Sequence, residues 1–183
     1  MSSNDFPQPT HSLELIKELP KELCTAIGTI MIKHAYLENV LQHIIYDLSG
    51  VDEIVGRVVC GQPRTSDRFN NIKDLALYRG LTIEPELIKL LDRDIPEIAR
   101  KRDALAHGAF FKDPEHDRII IRDLSRKWQP AGRNKGIKKK MHPSGPYVTP
   151  EALNGIIEVL DAVTDSCRYL LGSLRNQLAQ QQQ

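Results

Sequence analysis

From Glu22 to Leu48 the chain carries one sustained apolar repeat, and that repeat limits what the rest can do. Ile27, Ile30, Met31, Leu37, Leu41, Ile44, Ile45 and Leu48 recur at three- and four-residue spacing. Such spacing returns side chains to one side of a helix at every turn, so it predicts a long helix with a single buried face. Ser49-Gly50 is a stop signal. A helix of this kind cannot bury its stripe alone and needs other helices against it.

The chain supplies them. Leu13, Leu15, Ile16 and Leu19 have helical spacing up to Pro20, and Asp52 to Val59 reads as a short helix. Thr65 or Ser66 is placed to cap a helix that carries Phe69, Ile72, Leu75 and Leu77 and ends at Arg79-Gly80. Another begins at Glu84-Pro85 and runs through Leu87, Ile88, Leu90 and Leu91; Pro96 either kinks it or restarts it before Ile98, Ala99, Ala104 and Leu105. Thr149-Pro150 opens the last helix, with Leu153, Ile156, Ile157, Leu160, Val163, Cys167, Leu170, Leu171 and Leu174 on its stripe.

Between the last two helices the period changes. Asp117 to Asp123 is a β-branched run and predicts a strand, with Tyr147-Val148-Thr149 as its return. The expectation is an all-α bundle of about five main helices with a small β-hairpin-like insertion before the last. It forms one domain over residues 12–176, with the insertion at about 110–149 and disordered tails at 1–11 and 177–183. A length of 183 residues fits a single core.

Net charge is +1, so nothing global selects a nucleic-acid or membrane partner. The charge is unevenly spread: seven of the 25 Lys and Arg and none of the 24 Asp and Glu fall in Arg126–Lys140, leaving the rest at net −6. Cys24, Cys60 and Cys167 are far apart, without a CxxC or Cys/His cluster, so no structural zinc or other metal site is expected. An odd cysteine count and a polar N-terminus point to a cytoplasmic setting, and the apolar runs are too short to span a bilayer. No cofactor motif is present. Gly132-Arg133-Asn134-Lys135-Gly136 lacks the Gly-Lys-Ser/Thr ending of a phosphate loop, and there is no serine-hydrolase elbow or His-Glu-x-x-His.

The chemistry-bearing stretch is Arg100-Lys101-Arg102-Asp103-Ala104-Leu105-Ala106-His107-Gly108. Arg is permanently charged and His titrates near neutrality, a metal-free pair suited to phosphate chemistry. On an ideal helix Arg100 lies ~20° from His107 and Arg102 ~140° from it, which favours Arg100 as the same-face partner. The plain alternative is a solvated basic helix end, where a histidine is favoured by the macrodipole.

Arg102-Asp103-Ala104-Leu105-Ala106-His107 resembles the motif of the HEPN superfamily (higher eukaryotes and prokaryotes nucleotide-binding domains): an Arg, a polar residue, then a His after four to six residues. Arg102 has four intervening residues and Asp103 in the polar slot; Arg100 is followed by Lys101, a poorer match. Gly108, Phe110 and Phe111 and the helix order resemble the family as well. The resemblance implies a homodimeric, metal-independent endoribonuclease with a toxin–antitoxin or defence role and a cognate antitoxin partner. In it His107 serves as general acid or base, Arg102 stabilises phosphoryl charge, and Asp103 orients Arg102 or the opposite His107. Some members are instead non-catalytic dimerisation or nucleic-acid-binding modules.

Glu38 sits beside the buried face of the long helix. Either it reaches solvent at the edge, or it pairs with Arg102 or Arg100; HEPN-like proteins often have an acidic residue on this helix. His34 and His43 are read as boundary residues, since their nine-residue separation is not a ligand spacing. The basic stretch offers Arg126, Lys127, Trp128, Arg133, Lys135, Lys138, Lys139 and Lys140 to an RNA backbone and a base, or is only a solvated loop.

Overall fold

The structure is a computed structural model and describes residues 13–61, 63–113, 116–123 and 147–182. These residues form five helices and a three-stranded antiparallel sheet that precedes the last helix, the all-α bundle with a small β insertion that the repeats predict. The helices are α1 (Lys21–Ser49), α2 (Glu53–Val59), α3 (Thr65–Tyr78), α4 (Pro85–His107) and α5 (Pro150–Gln181). The strands are β1 (Glu14–Leu15), β2 (Gly108–Asp113) and β3 (Arg118–Asp123).

The apolar stripe of α1 is buried along its length, with Ile30, Leu37, Leu41, Ile44 and Leu48 wholly inaccessible. It packs against Leu160, Cys167 and Leu170 of α5 and Phe69 and Ile72 of α3 in one core. Two cross-links give the directions. Lys33 bonds Asp161 at 2.5 Å and Arg175 bonds Asp47 at 2.6 Å, so α1 and α5 run parallel. Gly50 ends α1 in the left-handed region at φ 68°, donating to the Tyr46 and Asp47 carbonyls. α2 then carries the chain back along α1, and α3 starts level with the middle of α1, where Thr65 meets Glu38. α4 starts at the far end, where Tyr169 donates to Glu84, and returns.

Pro96 does not restart a helix; α4 is continuous from Pro85 to His107. An internal proline costs about 3 kcal/mol. The buried Leu91, Ile95 and Ile98 on either side of it each contribute roughly 1.5–3 kcal/mol, which outweighs that cost.

Other expectations are corrected. Ser12–Leu19 is not a helix: Glu14 and Leu15 pair with Lys112 and Phe111 as the edge strand β1. A stretch so short has little helical stability of its own, and here it meets an open strand edge. Thr65 is not a cap. Arg64 occupies that position without a side-chain bond, and Thr65 spends its hydroxyl on Glu38. β2 follows α4 at once, and Tyr147 makes a single bridge to Ile120 where a return strand was expected. The helix α5 continues to Gln181, past the expected tail, because Gln177 bonds both the N–H and the carbonyl of Thr82.

Gly108 links α4 to β2 with ordinary extended backbone, φ −77° and ψ 153°. Its constraint is space, since a Cβ there would lie 2.6 Å from Ile121 Cγ1 and closer still to the Ala104 carbonyl oxygen. Gly108→Ala is therefore expected to destabilise the fold by about 1–3 kcal/mol in thermal unfolding. Gly155→Ala, with nothing within 4 Å of the new methyl, is expected to be neutral or stabilising by up to about 1 kcal/mol.

Candidate active site

Glu38 is the centre of a charged cluster between α1, α3 and α4. Its Oε1 accepts a 2.7 Å hydrogen bond from Thr65 Oγ1. Arg68 Nη1 donates to the Glu38 carbonyl at 3.1 Å and lies 3.9 Å from Oε1. Arg102 Nη2 is 3.8 Å from the same oxygen, and Arg102 Nη1 is 2.9 Å from Asp103 Oδ1. His34, one turn before Glu38, places Nδ1 3.9 Å from Oε2. The start of α3 adds its positive dipole end to the side on which the carboxylate lies.

The helix pitch explains which α4 residues join. Arg102 lies ~40° from the buried Ile98 and so borders the core stripe, whereas His107 lies ~180° from it. Arg102 accordingly turns toward Glu38 and is about one-quarter exposed. His107 is exposed, and its side chain makes no hydrogen bond or ion pair with any described residue. Arg100 stays out of the cluster: it is 65% exposed and held by Glu97 at 2.7 and 2.8 Å. Of the two arginines offered by the sequence, Arg102 therefore pairs with Glu38. Asp103 is mostly exposed, between Arg102 and His107 around the helix.

The cluster is short of acceptors. Arg68 Nε, Arg102 Nε and His34 Nε2 are buried and have no hydrogen-bond partner. His34 is no boundary residue, since only 2% of it is exposed. Burial first, and the Arg102 charge second, hold its pKa below the ordinary 6.5 against the opposing pull of Glu38 and Asp103. The unfolded chain then binds the extra proton, so His34 contributes stability above about pH 6.5 that is lost as pH falls toward its lowered native value. Urea unfolding is expected to give a lower midpoint at about pH 5.5 than at about pH 7.5, with a smaller difference in His34→Gln.

Two residues of the cluster, Thr65 and Arg68, escape the sequence reading. Arg68 stands one turn before the buried Ile72 and Thr65 one turn before Phe69, so both fall in the apolar phase of α3. A charge at that phase was the available signal. Beside Glu38 and Arg68, a polar cleft of about 380 Å³ opens between α1, α2 and α3, lined also by Asn39, Gln42, His43 and Arg57. His43 meets Tyr46 edge-on at 5.9 Å and ligates nothing described. The basic stretch from Arg126 to Lys140 lies outside the described residues.

Among the described residues no group of three or more His, Cys, Asp or Glu is placed to hold a metal ion, and no helix is long and apolar enough to cross a membrane. No family model, no curated protein and no solved structure matches the chain.

Proposed function

We propose that the chain is an endoribonuclease of HEPN type that cuts RNA without a metal, as a homodimer. The observation that carries this reading is the contrast along one helix end. Arg102 is anchored by Glu38 and Asp103, while His107 is left exposed with no partner of its own. A purely structural role accounts for Arg102, whereas for His107 it offers only the mild preference of a histidine for a helix C-terminus.

In the reaction, an imidazole takes the proton of a ribose 2′-hydroxyl as O2′ attacks the adjacent phosphorus. The P–O5′ bond breaks and O5′ takes a proton from a second imidazole. Arg102 stabilises the charge that grows on the phosphoryl oxygens. The products are a 2′,3′-cyclic phosphate and a 5′-hydroxyl. One chain carries one His107, so a two-fold dimer supplies both base and acid. The resemblance that motivates this reading also implies a toxin or defence component with a cognate antitoxin. The test is cleavage of single-stranded RNA in excess EDTA: RNA is cut, and its 2′-O-methyl counterpart survives intact. RNA left whole at every protein concentration contradicts the proposal.

A second reading, a non-catalytic nucleic-acid-binding or dimerisation module, is favoured by one observation. Both Nη atoms of Arg102 already lie beside carboxylates of the chain, Nη1 2.9 Å from Asp103 and Nη2 3.8 Å from Glu38. On that reading His107→Ala leaves RNA binding unchanged.

A further inference from the structure

The sheet has two unlike faces. Residues directly opposite each other in antiparallel strands share a face, so the register assigns them. Phe110, Ile119, Ile121 and Val148 pack on the helical core. The opposite face carries a row across the sheet: Leu15 pairs with Phe111, Phe111 with Ile120, and Ile120 bridges Tyr147. Ile120 is 2% exposed yet stands apart from the core cluster. Leu15 and Tyr147, at the two ends, are 56% and 44% exposed.

Two arginines flank Ile120 on the same face, one at each neighbouring position of that side of the strand. Arg118 lies over the Tyr147 ring at 4.7 Å, and Arg122 over the Phe111 ring at 5.2 Å. Neither has a carboxylate partner among the described residues, and Arg122 Nε is buried without a hydrogen-bond partner. Elsewhere among the described residues the surface cations are mostly paired, including Lys112 with Asp117 at 2.8 Å in this same hairpin. Two unpaired guanidiniums beside two aromatic rings are the combination that holds a single strand: planes for bases, donors for phosphates. Phe111 and Tyr147 are two strand spacings apart, about 10 Å.

We propose that this outer sheet face, through Phe111, Arg118, Arg122 and Tyr147 around the buried Ile120, binds single-stranded nucleic acid without strong sequence preference. As the place where RNA is held for cleavage it rests on the nuclease reading, but its binding test does not. The probe is a fluorescent 2′-O-methyl oligouridine of about 12 nucleotides, which 2′-attack cannot cut, titrated into the full chain at several salt concentrations. Arg118→Gln/Arg122→Gln keeps long stems over the rings; it is expected to weaken binding at least tenfold. It should also flatten the log–log salt slope by about 1.4, the value for two lost phosphate contacts on a single strand. Tyr147→Leu is expected to weaken binding by about 5- to 150-fold, the cost of one lost base stack, with the salt slope unchanged. Melting curves for the wild type and both variants accompany the titrations.

Wild-type affinity in both the arginine pair and Tyr147→Leu overturns the proposal. Lower melting temperatures with unchanged binding also overturn it, and leave the arginines as covers for the sheet. Poly-glutamate bound as tightly as the oligonucleotide, with Tyr147→Leu without effect on either, replaces the strand by an acidic protein segment. Binding lost in the variants of a protein that cuts no RNA supports the sheet face and removes the nuclease; RNA cut normally by variants that bind normally does the reverse.

Discussion

Replacing His107 by alanine is expected to slow RNA cleavage by about 10²- to 10⁴-fold, the usual contribution of a positioned general acid or base. In a dimer both the base and the acid are lost together, so the upper part of that range is expected. Stability should barely change, because His107 is exposed and touches no described partner. Substitutions of that kind stay within about 0.5 kcal/mol, or roughly 1–2 °C in a chain of this size. Cleavage assays beside a melting curve check both halves. Full activity in His107→Ala removes the assignment; an equal loss of activity and stability makes His107 a structural residue. Arg102→Lys keeps the charge but not the two-pronged geometry, so it is expected to fall well short of wild-type activity.

Removing the Glu38 carboxylate has the largest expected effect on stability. Glu38→Ala leaves the Arg68 and Arg102 charges and the Thr65 hydroxyl without their common partner. Glu38 is 27% exposed, Arg68 11% and Arg102 26%, so solvent relieves only part of this. Breaking such a pair from one side costs about 3 kcal/mol, at the low end for buried ion pairs, and lowers Tm by roughly 6–12 °C. Glu38→Gln retains an acceptor for Thr65 and is expected to lose less. Arg102→Met in the Glu38→Ala background should recover part of the loss, because the stranded charge is gone. Chemical unfolding of the wild type, Glu38→Ala, Arg102→Met and the double variant measures the coupling; a loss below about 0.5 kcal/mol in Glu38→Ala would make Glu38 an ordinary edge residue.

The long elements were legible because their stripes are long. The repeats of α1 and α5 mark their own burial, and Thr149 caps α5 by accepting from Ala152 N as its position implies. What local pattern does not encode is the partner. Leu13–Leu19 has helical spacing but lends two residues to a sheet whose other strands lie almost a hundred positions on. The parallel course of α1 and α5 follows from cross-links 128 residues apart in sequence. β2 was missed because Gly108 reads as a stop, while its extended backbone continues straight into a strand. In the site, the motif picked out Arg102 and helix pitch then set it against Glu38. Thr65 and Arg68 were marked only by their place in the apolar phase of α3, and that mark does not name a partner; only the packing of α1 on α3 and α4 brings them and His34 to one carboxylate.

The central claim is attack by the ribose 2′-oxygen with histidine as the proton carrier, and the chemistry of the cut ends reports on it directly. A defined RNA incubated with the full chain in excess EDTA is predicted to yield fragments ending in 2′,3′-cyclic phosphate and beginning with 5′-hydroxyl. Fragments with 5′-phosphate ends, formed only when a divalent metal is added back, would contradict it.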